Sequence, residues 1–300
     1  METNLPTVGL VGIGQLGLPL ACNLLKSRYR VIGYRRSHSH EFVAAGGIAA
    51  DSPASVVRQS DVVLMCLPSE EAQLNVLEGK GGVLGALKPS QLVIELGTYS
   101  RAFKVEQALR IQAAGGRVLE AEVSGSPPMV VQRRAALYLG GDAQVVEECQ
   151  PLLDAITPNQ FLLGEYGSAV AMKLIANYLL TIHTLAAAEA MNLGKRAGFD
   201  PRKVAEVIAQ GAGGSAMFSL RAPMMAERRF QPAPGPFVTL AKYLELGSRM
   251  AQDLGCVTPL FTTAMPFFQR AIAQGMGDED IAAVIKLIES DSEAQGKSDQ

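Results

Sequence analysis

A strand pattern that runs through three glycines directly into a helix pattern narrows the fold more than any other feature of this chain. The stretch is TVGLVGIGQLGLPLACNLL, residues 7–25. Val8, Leu10 and Val11 read as a buried parallel strand, and Gly12, Gly14 and Gly17 fit the spacing G-x-G-x-x-G. In such a unit the first glycine allows the tight turn out of the strand. The second lets a pyrophosphate approach the backbone, and the third lets the helix pack close to the strand. The phosphates then rest on the free N–H groups of the helix N-terminus. Gln15 and Leu16 lie between the glycines and belong to the same predicted loop. The motif predicts a dinucleotide-binding βαβ unit.

The next strand, Tyr29–Tyr34, indicates which dinucleotide. Sites that prefer NAD place an Asp or Glu about 20 residues beyond the fingerprint, on the ribose 2′-OH. Here the strand is followed by Arg35, Arg36 and Ser37, and the nearest acid is Glu41, inside the following helix. Guanidinium groups bind a 2′-phosphate by charge and by forked hydrogen bonds. The expected cofactor is therefore NADP(H) in preference to NAD(H).

With 300 residues the chain has room for two domains with real cores. A net charge of −2 with 19% charged residues leaves no electrostatic footprint for nucleic acid or a membrane surface. Cys22, Cys66, Cys149 and Cys256 are scattered and form no C-x-x-C; Cys22 and Cys66 read as small buried hydrophobes in a reducing compartment. His38, His40 and His183 have no metal-ligand spacing, so no metal is expected. His38 and His40 fall near the adenosine end of the cofactor, and His183 reads as a core histidine of a long helix. No leader segment is visible, and no apolar run reaches a membrane span without interruption. These readings predict a soluble cytoplasmic protein.

Strand candidates are Val8–Val11, Val31–Tyr34, Asp61–Cys66, Leu92–Glu95, Arg117–Ala121, Ala136–Gly140 and Gln160–Leu163, with helical stretches between most of them. The alternation predicts an α/β fold: a doubly wound, mostly parallel sheet of the Rossmann type over residues 1–165. An all-helical domain over 166–292 follows, opening with a long Ala-, Leu- and Met-rich helix from Ser168 to about Ala197. That helix is apolar around much of its circumference and needs cover on several faces, from its own domain or a second subunit. Further helices are expected at Pro201–Ala209, Met217–Glu227, Leu240–Leu254, Pro259–Gln274 and Asp280–Ser290, with a proline loop at 231–236 and a polar tail over 293–300.

A dehydrogenase site needs a proton donor beside the carbonyl that exchanges hydride. Lys173 is the candidate, because a lysine in an apolar helix is costly to bury unless it faces a cavity, an anion or solvent. Asn177 follows at i+4 on the same face and can hold the same oxygen. The competing reading is a lysine that snorkels from a surface helix.

Five motifs in order carry a resemblance over nearly the whole chain: GLVGIGQLG (9–17), DVVLMCLP (61–68), ELGT (95–98), EAEVSGS (120–126) and GSAVAMKLIAN (167–177). The chain resembles the β-hydroxyacid dehydrogenases, the group that includes 3-hydroxyisobutyrate dehydrogenase, tartronate semialdehyde reductase and glyoxylate/succinic semialdehyde reductases. The resemblance implies an oxidoreductase that interconverts a small hydroxy acid and its semialdehyde or oxo acid. Leu67 and Pro68 would line the cofactor, and Thr98 would sit near the nicotinamide ribose. Ser124 and Gly125 would hold the substrate carboxylate, as a small turn with free N–H groups does. Lys173 would be catalytic, Asn177 would orient substrate, and Lys242 would lie near both substrate and cofactor. The helical domain would supply a homodimer or higher homo-oligomer interface.

Departures from the family pattern are Glu122, Ser126, Arg133-Arg134, Ala176 and Tyr243. Glu122 could repel a substrate carboxylate, bind a cation, or face away; Arg133 could balance its charge. Two alternatives stay open at this point: an enzyme like the related imine reductases, which typically carry Asp or Tyr where Lys173 stands, and an NADP-binding protein without catalysis.

Overall fold

The computed structural model describes residues 5–298, which divide into two compact units between Lys173 and Leu174. The first unit contains, in order, β1 (Val8–Val11), α1 (Gly17–Lys26), β2 (Val31–Tyr34), α2 (His40–Ala44), β3 (Ile48–Ala49) and α3 (Pro53–Gln59). It continues with β4 (Val62–Met65), α4 (Glu70–Glu78), β5 (Leu92–Glu95), α5 (Arg101–Ala113), β6 (Arg117–Ser124) and α6 (Pro127–Val131). It ends with β7 (Ala136–Gly140), α7 (Ala143–Ile156), β8 (Gln160–Leu162) and the start of α8 (Ser168–Arg196).

The eight strands form one sheet in the order β3-β2-β1-β4-β5-β6-β7-β8. The interior strands are apolar on both faces, as a sheet covered on both sides requires. Val8, Leu10, Leu64 and Ile94 enter one core with Leu20 and Leu24 of α1 and Leu153 of α7. Val11, Ile32, Val63, Met65 and Val93 enter the other with Val56 of α3, Leu77 of α4 and Ile111 of α5.

Strands β1 to β6 are mutually parallel, and β7 runs antiparallel to β6. The stretch joining β6 to β7 holds only the short α6, too little chain for the crossover that a parallel neighbour needs. Strand β3 escaped sequence reading because it is two exposed residues at the sheet edge. Strand β6 runs three residues further than the apolar pattern suggested, since Glu122 interrupts that pattern.

The second unit is helical: the rest of α8, then α9 (Pro201–Gln210), α10 (Ala216–Glu227), α11 (Phe237–Asp253), α12 (Pro259–Ala273) and α13 (Ile285–Ser298). The last helix extends across most of the segment read as a polar tail. Its core gathers Leu185, Ala188 and Met191 of α8 with Phe218, Phe237, Phe261 and Phe268. By length and composition alone α8 is long and apolar enough to cross a membrane, although Lys173 and Glu189 interrupt its apolar run. Within this fold Leu174, Leu185, Ala188 and Met191 of the helix are buried, whereas Met172, Ile175, Leu179 and Leu193 are exposed.

One buried ion pair pins the proline loop of this unit. Asp280 is fully buried, 3.1 Å from Arg221, and accepts from the N–H groups of Gly235 and Ala282. Removing one partner of such a pair leaves an uncompensated charge, at a cost of about 3–5 kcal/mol. Asp280→Ala is expected to lower unfolding stability by that order in a chemical denaturation series; a loss below about 1 kcal/mol, the range of a surface pair, contradicts the assignment.

Candidate functional site

The parallel register brings the carboxyl ends of β1, β2, β4 and β5 level, with Val11 beside Tyr34 and Met65, and Met65 beside Glu95. Strand β6 continues beyond that line to Ser124. The strand order reverses between β1 and β4, and in open sheets of this kind ligands bind at that crevice. The loops that leave these ends carry nearly all the residues singled out in the first unit.

The glycine loop has the geometry its spacing implies. Gly12 has φ +105°, and a Cβ there would lie 2.1 Å from the carbonyl oxygen of Cys66, so only glycine fits. At Gly17 a Cβ would lie 2.0 Å from the Gly12 carbonyl oxygen, which brings α1 close against the turn. At Gly14 a Cβ would meet nothing within 4 Å. Gly14 and Gln15 are exposed, Leu16 is half-buried at the N-cap, and no side chain caps α1. An uncapped N-terminus beneath open space fits a pyrophosphate.

Beyond β2, a pocket of ≈ 670 Å³ is lined by Tyr34, Arg35, Arg36, Ser37, His38, His40 and Asp51, among others. Among the described residues neither arginine makes an ion pair. The rings of His38 and His40 stack with centroids 5.4 Å apart. Asp51, which follows β3, is an acid in this pocket that sequence spacing did not reveal. Leu67 is half-buried and Pro68 exposed beyond β4, next to the Gly12 turn.

At the end of β6, Ser124 is half-buried and Gly125 exposed, with φ +156°. Lys173 is 8% exposed, and its Nζ donates to the carbonyl of Val123, the residue before Ser124. The structure thus brings Lys173 together with the Ser124–Gly125 turn. Glu120 sets the approach of its helix. This buried carboxylate on β6 accepts from the N–H groups of Gly167, Ala169 and Val170 at 2.8, 3.1 and 3.1 Å, at the start of α8. A carboxylate here satisfies donors that helix geometry leaves free and complements the helix dipole.

Glu122 is fully buried. Its Oε1 is 2.6 Å from Lys104 Nζ and its Oε2 accepts from the Thr98 hydroxyl at 2.6 Å. Of the three possibilities for Glu122, facing away is the one observed. Lys104 fills the position a bound cation would take, with Glu120 3.2 Å away and the Gly97 carbonyl at 2.7 Å. Arg133 does not balance Glu122; it donates to the Asp154 carbonyl. Burial alone would lower the Lys104 pKa, but Glu122, Glu120 and Glu95 outweigh it and raise it, so the ammonium persists. Glu95 accepts from Gly97 N–H at 2.7 Å and from Gln73. Burial pushes its carboxyl up to about 8, against the opposing pull of Lys104. Lys104, Glu95, Glu120 and Gln73 were not singled out from sequence. The available signal was a pair of acids, Glu120 and Glu122, on one face of an otherwise apolar strand.

In the second unit Asn177 is half-buried on α8, Lys242 is half-buried on α11, and neighbouring Tyr243 packs against the helical core. His183 is half-buried on α8, and Cys22 and Cys66 are half-buried rather than fully enclosed.

Residues 7–164 match the family model described as the NAD binding domain of 6-phosphogluconate dehydrogenase. Residues 167–288 match that described as NAD-binding of NADP-dependent 3-hydroxyisobutyrate dehydrogenase. Glyoxylate/succinic semialdehyde reductase 2 of Arabidopsis thaliana is 29% identical, over 96% of this chain and 81% of its own. The NAD-dependent L-serine dehydrogenase of Pseudomonas aeruginosa is 30% identical, over 94% of this chain and 97% of its own. Among solved structures, 3-hydroxyisobutyrate dehydrogenase from Salmonella typhimurium superposes with TM-score 0.85 at 28% identity, covering 94% of this chain and 99% of that one.

Two outcomes follow from the geometry. Gly14→Ala should leave the melting temperature unchanged yet weaken dinucleotide binding by about tenfold or more, ~1.4 kcal/mol, measured by cofactor fluorescence titration. Equal binding by the variant would show that phosphate does not approach this backbone. For Glu95 the folded-state pKa lies above the ordinary 4.5, so the native state holds the proton more tightly than the unfolded one. Stability from this group is then full at low pH and declines as pH rises from about 4.5 to about 8. Glu95→Gln should therefore gain on the wild type as pH is raised from 5 to 9; parallel denaturation curves at the two pH values contradict this.

Proposed function

The chain belongs to the β-hydroxyacid dehydrogenase family and is a nicotinamide-dependent oxidoreductase acting on CH–OH groups, and within that class we propose an NADPH-dependent reductase of a small carboxylate-bearing aldehyde or ketone. One observation carries the reading: the Lys173 ammonium is anchored on the carbonyl of Val123, immediately before the Ser124–Gly125 turn. A substrate whose carboxylate rests on that turn would present its carbonyl oxygen close to a protonated amine.

The glycine loop, Leu67, Pro68 and Thr98 would hold the cofactor, which supplies the hydride when bound. The protein's own part is to bind, orient and protonate. The Ser124 hydroxyl and the Gly125 N–H fix the carboxylate. Lys173 donates a proton to the carbonyl oxygen as its carbon is reduced, and its neutral amine is the base in the reverse direction. Asn177, one turn along α8, orients the same oxygen or its neighbour, and Lys242 assists substrate binding. Retention of lysine at 173 favours this reading over reduction of an imine.

The preference for NADP(H) is supported by Arg35, Arg36 and Ser37 in the pocket beyond β2, where no acid ends the strand. It favours the reductive direction. An exposed apolar stripe on α8, Met172, Ile175 and Leu179, supports a homodimer or higher homo-oligomer. Cysteines held as thiols rather than disulfides suit a reducing, cytoplasmic setting.

The test is oxidation of NADPH at neutral pH with glyoxylate, succinic semialdehyde, tartronate semialdehyde, methylmalonate semialdehyde and a cyclic imine, NADH run in parallel. An oxo acid should turn over with NADPH. Lys173→Ala should lower kcat by about 10²–10⁴ with NADPH affinity nearly unchanged. Arg35→Ala/Arg36→Ala should erode the preference for NADPH by about tenfold or more. Turnover of the imine alone, or loss of binding rather than rate in Lys173→Ala, contradicts the proposed role.

A further inference from the structure

The buried Lys104–Glu122 pair has no part in the chemistry just described, and its stability value does not explain it. Replacing a buried ion pair by apolar groups of similar volume is often neutral or stabilising, so what such a pair provides is sought in geometry. Its partners are informative. Lys104 Nζ holds the Gly97 carbonyl, and Glu122 Oε2 holds the Thr98 hydroxyl, two consecutive residues of the loop leaving β5. The same loop is held at the Gly97 N–H by Glu95, and a Cβ at Gly97 would lie 2.2 Å from the Tyr99 hydroxyl, so nothing larger than glycine fits there. On its other side Lys104 is 3.2 Å from Glu120, the carboxylate that receives the first turn of the helix carrying Lys173. One ammonium therefore joins the Thr98 loop to the start of the Lys173 helix, with all groups fully or nearly fully buried.

The bond to Glu122 also fixes what Thr98 can offer. A hydroxyl has one donor and two acceptor lone pairs. With its proton committed to Glu122, the Thr98 hydroxyl has only lone pairs left to offer, which suits acceptance from a ribose hydroxyl.

Resting on the reductase reading of this site, we propose that Glu122 and Lys104 are positioning residues: they set Thr98 as an acceptor for the cofactor ribose and hold its loop in register with Lys173. Neither touches substrate or cofactor. Glu122 acts through Thr98, so its effect on catalysis depends on the threonine hydroxyl. A merely structural role has no such dependence.

The experiment is a double-mutant cycle between Glu122→Leu and Thr98→Val, with Glu122→Gln as the conservative variant. Steady-state kinetics are measured with NADPH, with NADPH deuterated at the transferred position, and with the oxo acid that wild type reduces best. Melting curves are recorded throughout. Glu122→Leu should lower kcat/KM for NADPH about tenfold and raise the deuterium isotope effect on kcat, because a mispositioned nicotinamide makes hydride transfer limiting. Glu122→Gln, which retains an acceptor for Thr98, should recover most of the rate. In the Thr98→Val background the Glu122→Leu penalty should vanish. If Glu122→Leu does not fold, Lys104→Met/Glu122→Leu, which removes both charges together, takes its place in the cycle. Penalties that add across the cycle, or an unchanged rate in a folded variant, overturn the positioning role while leaving the reductase reading intact. A wild type that turns over no oxo acid overturns the reductase reading itself, and this inference with it.

Discussion

Five parallel strand ends at one edge of a sheet are the constraint from which the rest of the site follows. Parallel strands need crossovers, and the crossovers here are helices that cover both faces of the sheet. The strands therefore became apolar on both sides, and chemistry was left to the loops at their carboxyl ends. In the proposed reading these loops would divide the work: the glycine turn for the phosphates, Arg35 and Arg36 for the far ribose, Leu67 and Pro68 for the crevice wall, and Thr98 and Ser124 for the reacting end. Where β6 outruns its neighbours, it carries Ser124 past the line of the others and meets Lys173 through Val123.

Loops alone do not hold a geometry to a fraction of an ångström, and the structure supports them from beneath with charge. Glu95, Lys104, Glu120 and Glu122 lie under the edge with almost no solvent contact. Three carboxylates about one ammonium would be costly if all were charged, and the raised pKa of Glu95 relieves this, leaving that carboxyl protonated near neutrality. The Lys104 ammonium donates to Glu122 and to the Gly97 carbonyl and pairs with Glu120 at 3.2 Å. A fully satisfied buried polar network is rigid in a way an apolar core is not.

The sheet and the glycine turn were legible in the sequence because both are written in local patterns: apolar runs bounded by glycines, and three glycines at a set spacing that a close backbone approach requires. Lys173 stood out because a lysine within so apolar a helix demands a reason. The network was less legible. Lys104 lies on a helix rich in polar residues, where a lysine normally means a solvated face, and nothing local distinguishes it from Arg101 or Arg110. Glu122 was visible as an anomaly, but its partner lies 18 residues earlier in another element, and only the fold joins them. Asp51 was missed for a similar reason: it enters the pocket beyond β2 just after β3, a strand of two exposed residues with no apolar signature. The Arg221–Asp280 pair likewise depends on a contact between distant segments of the helical unit.

Burial of Glu122 changes where substrate selectivity is to be sought. An acid next to the Ser124–Gly125 turn, met as sequence alone, leaves open a pocket that repels carboxylates, a cation site, or a side chain that faces away. In the fold that charge is consumed by Lys104, and Val123, Ser124 and Gly125 keep their places at the strand end. The departure and its compensation lie together in the interior, so Glu122 leaves no unpaired charge beside the turn. Glu122 therefore acts on the strand end only through the groups it holds, Thr98 and Lys104.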